Sequence, residues 1–541
     1  MQTRKNTECA SFARIMFPLL ASVMMWAGLS TYAFAMVWQL SWVDLFSLRP
    51  WRALRPLLAL TAWVKALFLC VSSVSLIPFH INQLRTSEPA PLFSTGFQYG
   101  PAGALPRVLA RLTTFSKFSA ALGYLFLLAT WASGYLTLSH FSYARDLAQD
   151  WRLGASHGVL LGLVYGCKFF LCAQDVLSFP IIQRARVFRF KQRLPGAAAT
   201  AARIGTASAA ASVAAAWLMP SRFPWPSSVE SALLLLLSSC LLAFCWEVSS
   251  SLVEIGFTER VRFDRCSSPS GLEALVPALG AEKEPVVQEL AFLDLCLLAE
   301  QRGSSNWLRD AVFSDERGSA WASVTEPCLK EVNALTSAIA GAFPQQQGKA
   351  GGQGSKDSSK AARWNAGAPG VKAAGVPGSK QASVAALLRS RHHRAETCVR
   401  ALSALVAASR SEDRYGVAQL CRPSLGDCLA ALLSALGALR QYIRLTCSAP
   451  SRCSPLGIQG PLCWVGSLGT KARVPTGALS MQVVEQAAYS LEDVLRTGIG
   501  MVGSSFGDAL PAVLESCNSP LVFGSKSDIE GWLRSCTAGP F

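Results

Sequence analysis

Four ionisable side chains, Lys65, Lys168, Arg203 and Glu247, stand inside long apolar runs of this 541-residue sequence. A charge at membrane depth is costly, so such residues act as ion or proton stations, pair with one another, or lie near enough to a helix end for the charged head to reach water. A transporter or channel using Lys65, Lys168 and Glu247 would exploit the first option, whereas snorkelling or helix pairing accounts for the other two. Lys65 and Lys168 sit within a few turns of a run's end, and Glu247 lies near the end of its own. Transporters built from inverted repeats carry glycine- or proline-broken spans at matching positions of two halves. No such symmetry is visible here.

Other chemistries find less support. The five histidines are His80, His140, His157, His392 and His393. None is paired at a ligand spacing on a recognisable helix, and His392 and His393 lie in the basic stretch RSRHHR. There is no Walker A loop, no G-x-S-x-G elbow and no H-E-x-x-H motif. The serine pair in GSSFGDAL has no neighbouring base and reads as a helix entry. Seventeen cysteines are scattered without tight C-x-x-C pairs. Cys70, Cys167, Cys172, Cys240 and Cys245 fall in apolar runs, where they behave as small apolar residues. Cys296, Cys328, Cys421 and Cys428 suit a reducing cytosol. No enzyme, cofactor or metal site is expected.

The elements that hold these residues are of two kinds. Apolar residues make up 51% of the chain and charged ones 16%, too few charges for a wholly soluble protein of this length. The apolar excess lies before residue 256. Six stretches there reach about the 20 residues needed to cross some 30 Å of hydrocarbon: 12–38, 56–79, 118–138, 156–177, 197–218 and 231–253. The fifth is alanine-rich and contains Arg203, a composition suited to close helix packing rather than strong partitioning into lipid. The expected fold is all-α: a six-span membrane domain at 1–256, a first helical part of a cytosolic domain at 257–343, a low-complexity linker at 344–383 and a second helical part at 384–541.

Lys and Arg in short flanks resist translocation. Fifteen of them fall on the side shared by both termini, against six on the other, so both termini are expected in the cytoplasm. A cleavable leader ending near Ala33-Phe34-Ala35 is the rival reading, leaving five spans and an extracytoplasmic tail. The apolar run from Ile15 is long for a leader core.

In the tail, EPVVQELAFLDLCLLAEQ repeats apolar residues at helical spacing, as do the stretches SVAALLRSRHHRAETCVRALSALVAASRSEDRYGVAQ and LGDCLAALLSALGALRQYIRL. A final pair of helices is expected near 480–515 and 527–535. The net charge of +16 could attract nucleic acid or anionic membrane, but much of it lies in the flanks where topology explains it. The fourth loop, FPIIQRARVFRFKQRL, interleaves Phe179, Ile181, Ile182, Val187, Phe188 and Phe190 with Arg184, Arg186, Arg189, Lys191 and Arg193. Lying in the headgroup layer would satisfy both sets, rings toward the acyl chains and cations on phosphates.

This fourth-loop phrase resembles that of the nuclear division cycle family of transmembrane nucleoporins. LAFLDLCLLAE, RDAVFS, Trp321 and EPCLKEVN resemble the first helical part of that family's tail. The core Glu412-Asp413-Arg414-Tyr415-Gly416-Val417 is similar to its most recognisable tail motif, and LLSALGALRQYIRL and SFGDAL fall in the family's order. The chain departs in a shorter linker, the alanine-rich fifth span and an insert at 448–475. The resemblance implies a non-enzymatic scaffold of the nuclear pore membrane that anchors soluble nucleoporins and supports pore assembly. Implied partners are other membrane nucleoporins, a WD-repeat nucleoporin, membrane-binding linker nucleoporins and the lipid bilayer, with no direct contact to nucleic acid; fungal members also serve at spindle pole bodies. Beside the resemblance, Leu402, Leu405 and Val406 are expected to face a core, and Glu412, Asp413, Arg414 and Tyr415 to cap, pair and contact a partner.

Overall fold

The computed structural model describes residues 2–40, 59–86, 115–141, 147–171, 183–218, 228–263, 271–301 (bar 283), 306–342, 378–446, 476–515 and 522–537 (bar 525), with Gln174, Val176, Leu177, Phe179 and Pro180 between the fourth and fifth helices. The expected insert at 448–475 and most of the linker lie outside these residues. Two compact units emerge, the first built mainly from Met1–Ser270 and the second from Phe292–Gly457 and Pro475–Phe541. Both are helical, and no strand occurs among the described residues.

The first unit comprises α1 (Gln2–Trp38), α2 (Leu60–Gln83), α3 (Phe115–Phe141), α4 (Leu147–Leu171), α5 (Arg186–Leu218) and α6 (Val229–Phe257). Successive helices run antiparallel. Gln39 donates to the Ala62 carbonyl at 3.0 Å, the His80 ring meets the Tyr124 hydroxyl at 2.6 Å, and α5 lies along α6 with Gly205 against Cys240 and Arg193 against Glu254. The core between them holds Leu69, Leu76, Leu128, Tyr135, Tyr165, Phe169, Leu242 and Trp246. Alternation brings the end of α1, the start of α2, the start of α4 and the end of α5 to one face of the bundle. Exposed Trp38, Trp63, Trp151 and Trp217 stand there, as amphipathic indoles do at a membrane–water boundary. Arginines of α5 mark the opposite end.

The tightest seam is between α3 and α4. Gly154, Gly158, Gly162 and Gly166 recur every four residues, so all four face α3. A Cβ at these positions would fall 2.9 Å from Thr137, 2.4 Å from Ser133, 2.6 Å from Ala129 and 2.1 Å from Leu125, the first three being backbone atoms. Only glycine permits that approach, the packing mode of small-x-x-x-small helices in membranes. Ser133 uses it to donate to the Ala155 carbonyl across the seam at 3.0 Å.

The second unit contains α7 (Gly271–Leu279), the later turns of α8 (Pro285–Glu300), α9 (Trp307–Phe313), α10 (Ser319–Ala342), α11 (Gly378–Glu412), α12 (Val417–Leu420), α13 (Leu425–Thr446), α14 (Thr476–Phe506), α15 (Leu510–Glu515) and α16 (Lys526–Thr537). Helix α11 begins at Gly378, inside the stretch read as linker. Helix α13 is its central member, packed by α10, α11, α14, α15 and α16. The Ser434 hydroxyl ties α13 to the loop before α16 by donating to the Phe523 carbonyl at 2.8 Å and accepting its N–H at 2.7 Å. Gly437 leaves room for Trp532.

Six helices among the described residues are long and apolar enough to cross a membrane: Phe17–Trp38, Leu60–Gln83, Phe118–Ser139, Trp151–Phe170, Val229–Phe257 and Leu425–Thr446. Five match the expected spans. The sixth differs, because α13 replaces the alanine-rich α5 in the set. Yet α13 is two-thirds buried inside its unit, the state of a soluble core helix, whereas α5 is packed in the bundle.

Candidate functional site

At the basic end of the bundle, α5 starts eleven residues earlier than the expected 197, because RVFRFKQRL continues as helix instead of ending the loop. That phase sorts its side chains. Arg186, Arg189 and Arg193, spaced by three and four, face α6. Arg193 grips Glu254 with both terminal guanidinium nitrogens, Nη2 to Oε1 at 2.7 Å. Arg186 pairs with Glu259. Buried Arg189 donates to Thr258 Oγ1 at 2.6 Å and the Ile255 carbonyl at 3.4 Å. Gln183 adds a bond to the Thr258 carbonyl at 3.3 Å. A helix C-terminus carries partial negative charge and unpaired carbonyls, which cations and donors of this kind satisfy. The far end of α6 is closed by a reciprocal Ser228–Ser231 capping box.

The other loop residues divide between inside and outside. Phe179 is buried, Phe190 half-buried, and Arg184, Val187, Phe188 and Lys191 are exposed on the outward side. Ile181 and Ile182 lie outside the described residues. Leu177 N–H donates to the Arg85 carbonyl at 2.8 Å, pinning the segment before α5 to the end of α2.

Within the bundle, Lys168 of α4 meets Glu247 of α6 at 2.5 Å, both largely buried, and Gln174 reaches the other carboxylate oxygen at 3.4 Å. The two intramembrane charges thus neutralise each other. Nearer the tryptophan end, fully buried His157 spans three helices, its Nδ1 2.5 Å from Ser212 of α5 and its Nε2 2.9 Å from Ser239 of α6. This polar staple and the arginine clasp fix both ends of α5. Neither was found from sequence, since the partners lie 55 to 82 residues apart.

In the tail, Leu402, Leu405 and Val406 are buried. The motif after them forms a capped corner. Glu412 pairs with Arg309 at 2.8 Å, and Arg309 also bonds the Ala299 carbonyl, binding α8, α9 and α11 together. Asp413 accepts the Val417 N–H at 2.9 Å and the Ala418 N–H at 2.8 Å, the N-terminal capping of α12. Gly416 turns the chain with φ of +69°, a left-handed conformation that favours glycine. Arg414 and Tyr415 point outward, exposed. Asn306 caps α9 at Leu308 N–H, 3.2 Å, and donates to the Leu298 carbonyl at 2.6 Å. Arg400 holds Glu300 bidentately at 2.6 Å.

Burial pushes the Cys296 thiol up to about 12, aided by Glu300. The Ser319 hydroxyl and Ala320 N–H hold the Asp315 carboxyl below its usual range. Among the described residues no group of histidine, cysteine and carboxylate side chains could hold a metal ion.

An all-helical bundle with apolar outer faces, an aromatic girdle at one end and an arginine clasp at the other, accompanied by a second helical unit, is a polytopic membrane protein. Residues 10–366, about two thirds of the chain, match the family model of the nucleoporin protein Ndc1-Nup. The chain belongs to the Ndc1-Nup family of nucleoporins. A search of curated proteins gives no match. It is therefore a nuclear pore membrane protein of a structural, non-enzyme family whose members associate with other nuclear pore components. The matched region covers the bundle and the first tail helices, and the capped corner lies beyond it.

Proposed function

We propose that the chain anchors the nuclear pore complex in the nuclear envelope and supports pore assembly. The observation that carries this is the closure of Lys168 on Glu247, which leaves these two charges bound to each other rather than to a passing ion. The spans then serve as an anchor, with α5 crossing as the fifth: from Arg193 to Trp217 is about 36 Å at 1.5 Å per residue, enough for the hydrocarbon layer. Both termini and the tail lie on the cytoplasmic or pore side, where the arginine end of the bundle meets anionic headgroups. The outward set Arg184, Val187, Phe188 and Lys191 rests in the headgroup layer of the curved pore membrane. The tail holds soluble nucleoporins, among them a WD-repeat nucleoporin and membrane-binding linkers.

A tagged full-length chain should give a punctate nuclear rim, and protease added to sealed microsomes should remove its tail. A diffuse signal on another membrane, or a protected tail, would overturn the reading.

A further inference from the structure

The second unit exposes few large apolar side chains; among its described residues they are Tyr415, Leu420 and Leu445. Tyr415 and Leu420 share the capped corner, with 55% and 82% of their surfaces open. Arg414 and Arg422 are exposed beside them. Exposed Arg317 joins them, because Gly318 abuts Cys421 so closely that a Cβ there would lie 2.2 Å from its sulfur. None of these three guanidinium groups has a partner among the described residues. The neighbouring carboxylates are committed elsewhere: Glu412 to Arg309, Asp413 to two backbone N–H groups and Asp315 to its own turn. Glu316 is exposed alongside, and Asp315 and Asp413 keep their negative charge, so what the corner offers outward is unpaired guanidinium donors rather than a net positive field.

The corner is also held still. Asp413 and Gly416 set its turn, and the Trp321 indole donates to the Pro423 carbonyl at 2.7 Å on its far side. A preorganised surface presenting tyrosine and arginine has the composition of an interface hot spot, with Leu420 adding apolar area, and loses little entropy on docking. We propose that this corner, through Arg317, Arg414, Tyr415, Leu420 and Arg422, binds an acidic segment bearing an apolar side chain on another nuclear pore component. This rests on the scaffold reading above. It also moves the contact face away from Glu412 and Asp413, whose carboxylate oxygens are used internally. Hydrogen-bonding chemistry selects the partner: three guanidinium forks without a partner among the described residues, around two apolar side chains, call for carboxylates flanking an apolar residue. A membrane surface fits less well, since interfacial helices lay apolar residues over several turns and the corner offers two.

The test replaces Tyr415, and separately Leu420, by the photo-crosslinker benzoylphenylalanine in the tagged full-length chain, irradiates cells and sequences the adducts. Adducts to a nuclear pore protein, at a peptide with Asp or Glu within a few residues of an apolar attachment point, are expected. They should fall roughly tenfold or more when Arg317, Arg414 and Arg422 are all changed to Glu. Lipid adducts, adducts to basic peptides, or yields unchanged by charge reversal would overturn the proposal. Absence of adducts from both positions in a chain that still decorates the nuclear rim would overturn it while sparing the anchor reading. Loss of the rim signal by the unaltered chain would instead sink the anchor reading itself.

Discussion

Replacing Gly158 by alanine probes the α3–α4 seam with a single methyl group. Its Cβ would sit 2.4 Å from Ser133 Cα and N and 2.6 Å from the Ala132 carbonyl carbon, all backbone atoms that no rotamer change can move. Ordinary carbon contacts begin at about 3.5 Å, so the helices must part by about 1 Å, a gap that forfeits a quarter to a half of the dispersion energy of each seam contact. Overpacking of this kind costs about 1–3 kcal/mol. Against it stands the gain in helix propensity, up to about 1 kcal/mol for Gly to Ala. The net expectation is about 1–2 kcal/mol of destabilisation, read as a lower thermal midpoint of the detergent-solubilised full-length chain by fluorescence-detected size exclusion. Gly123 of α3 is the control, because nothing lies within 4 Å of a Cβ built there. Gly123→Ala should leave the midpoint unchanged or raise it. If the two alanine variants behaved alike, or Gly158→Ala were the more stable, close packing by glycine would not be what joins α3 to α4.

The same assay tests the intramembrane pair. Lys168→Met alone strands the Glu247 carboxylate and should cost about 3–5 kcal/mol, while Lys168→Met with Glu247→Leu should recover most of that loss; equal damage by single and double variants would refute pairing. Asp413→Ala removes both hydrogen bonds that close the start of α12 and should destabilise the tail by about 1–2 kcal/mol, seen as faster proteolysis around Gly416; unchanged cleavage there would count against the cap. Cys296, with its thiol raised to about 12, stays protonated at pH 8 and should resist maleimide in the folded chain, reacting only on unfolding; rapid native labelling would contradict its burial. Asp315 has its folded value depressed, so its contribution is present above the ordinary carboxylate range and is lost as pH falls through the lowered value. Asp315→Asn should flatten the acid limb of tail stability, and an unaltered limb would exclude that role.

Span positions were legible because lipid imposes one simple rule on about 20 consecutive residues. Helices α1, α2, α3, α4 and α6 fall close to the expected stretches. Helix α5 extends N-terminal to its expected span at 197–218, since arginine and aromatic residues look like loop until α6 supplies Glu254, Glu259 and its terminal carbonyls as partners. The spacing of Gly154, Gly158, Gly162 and Gly166 was open to view as G-x-x-x-G, but its meaning needed Ser133 and Ala129 opposite. The sequence reads α13 as an amphipathic tail helix, although by length and composition alone it could also cross a membrane. In the tail, periodicity located α8, α11, α13 and α14. The role of Glu412 depended on Arg309, 103 residues earlier in the chain.

Helix α5 bears on how the chain is made. Its alanine-rich body and four cationic residues in the first three turns give the insertion machinery little reason to release it into lipid unaided. Its docking groups all sit on neighbours: His157 on α4, which emerges first, and Ser239, Cys240 and Glu254 on α6 with Thr258 at its C-cap, which emerge last. The contacts that hold α5 against α6 can therefore form only once α6 has been made.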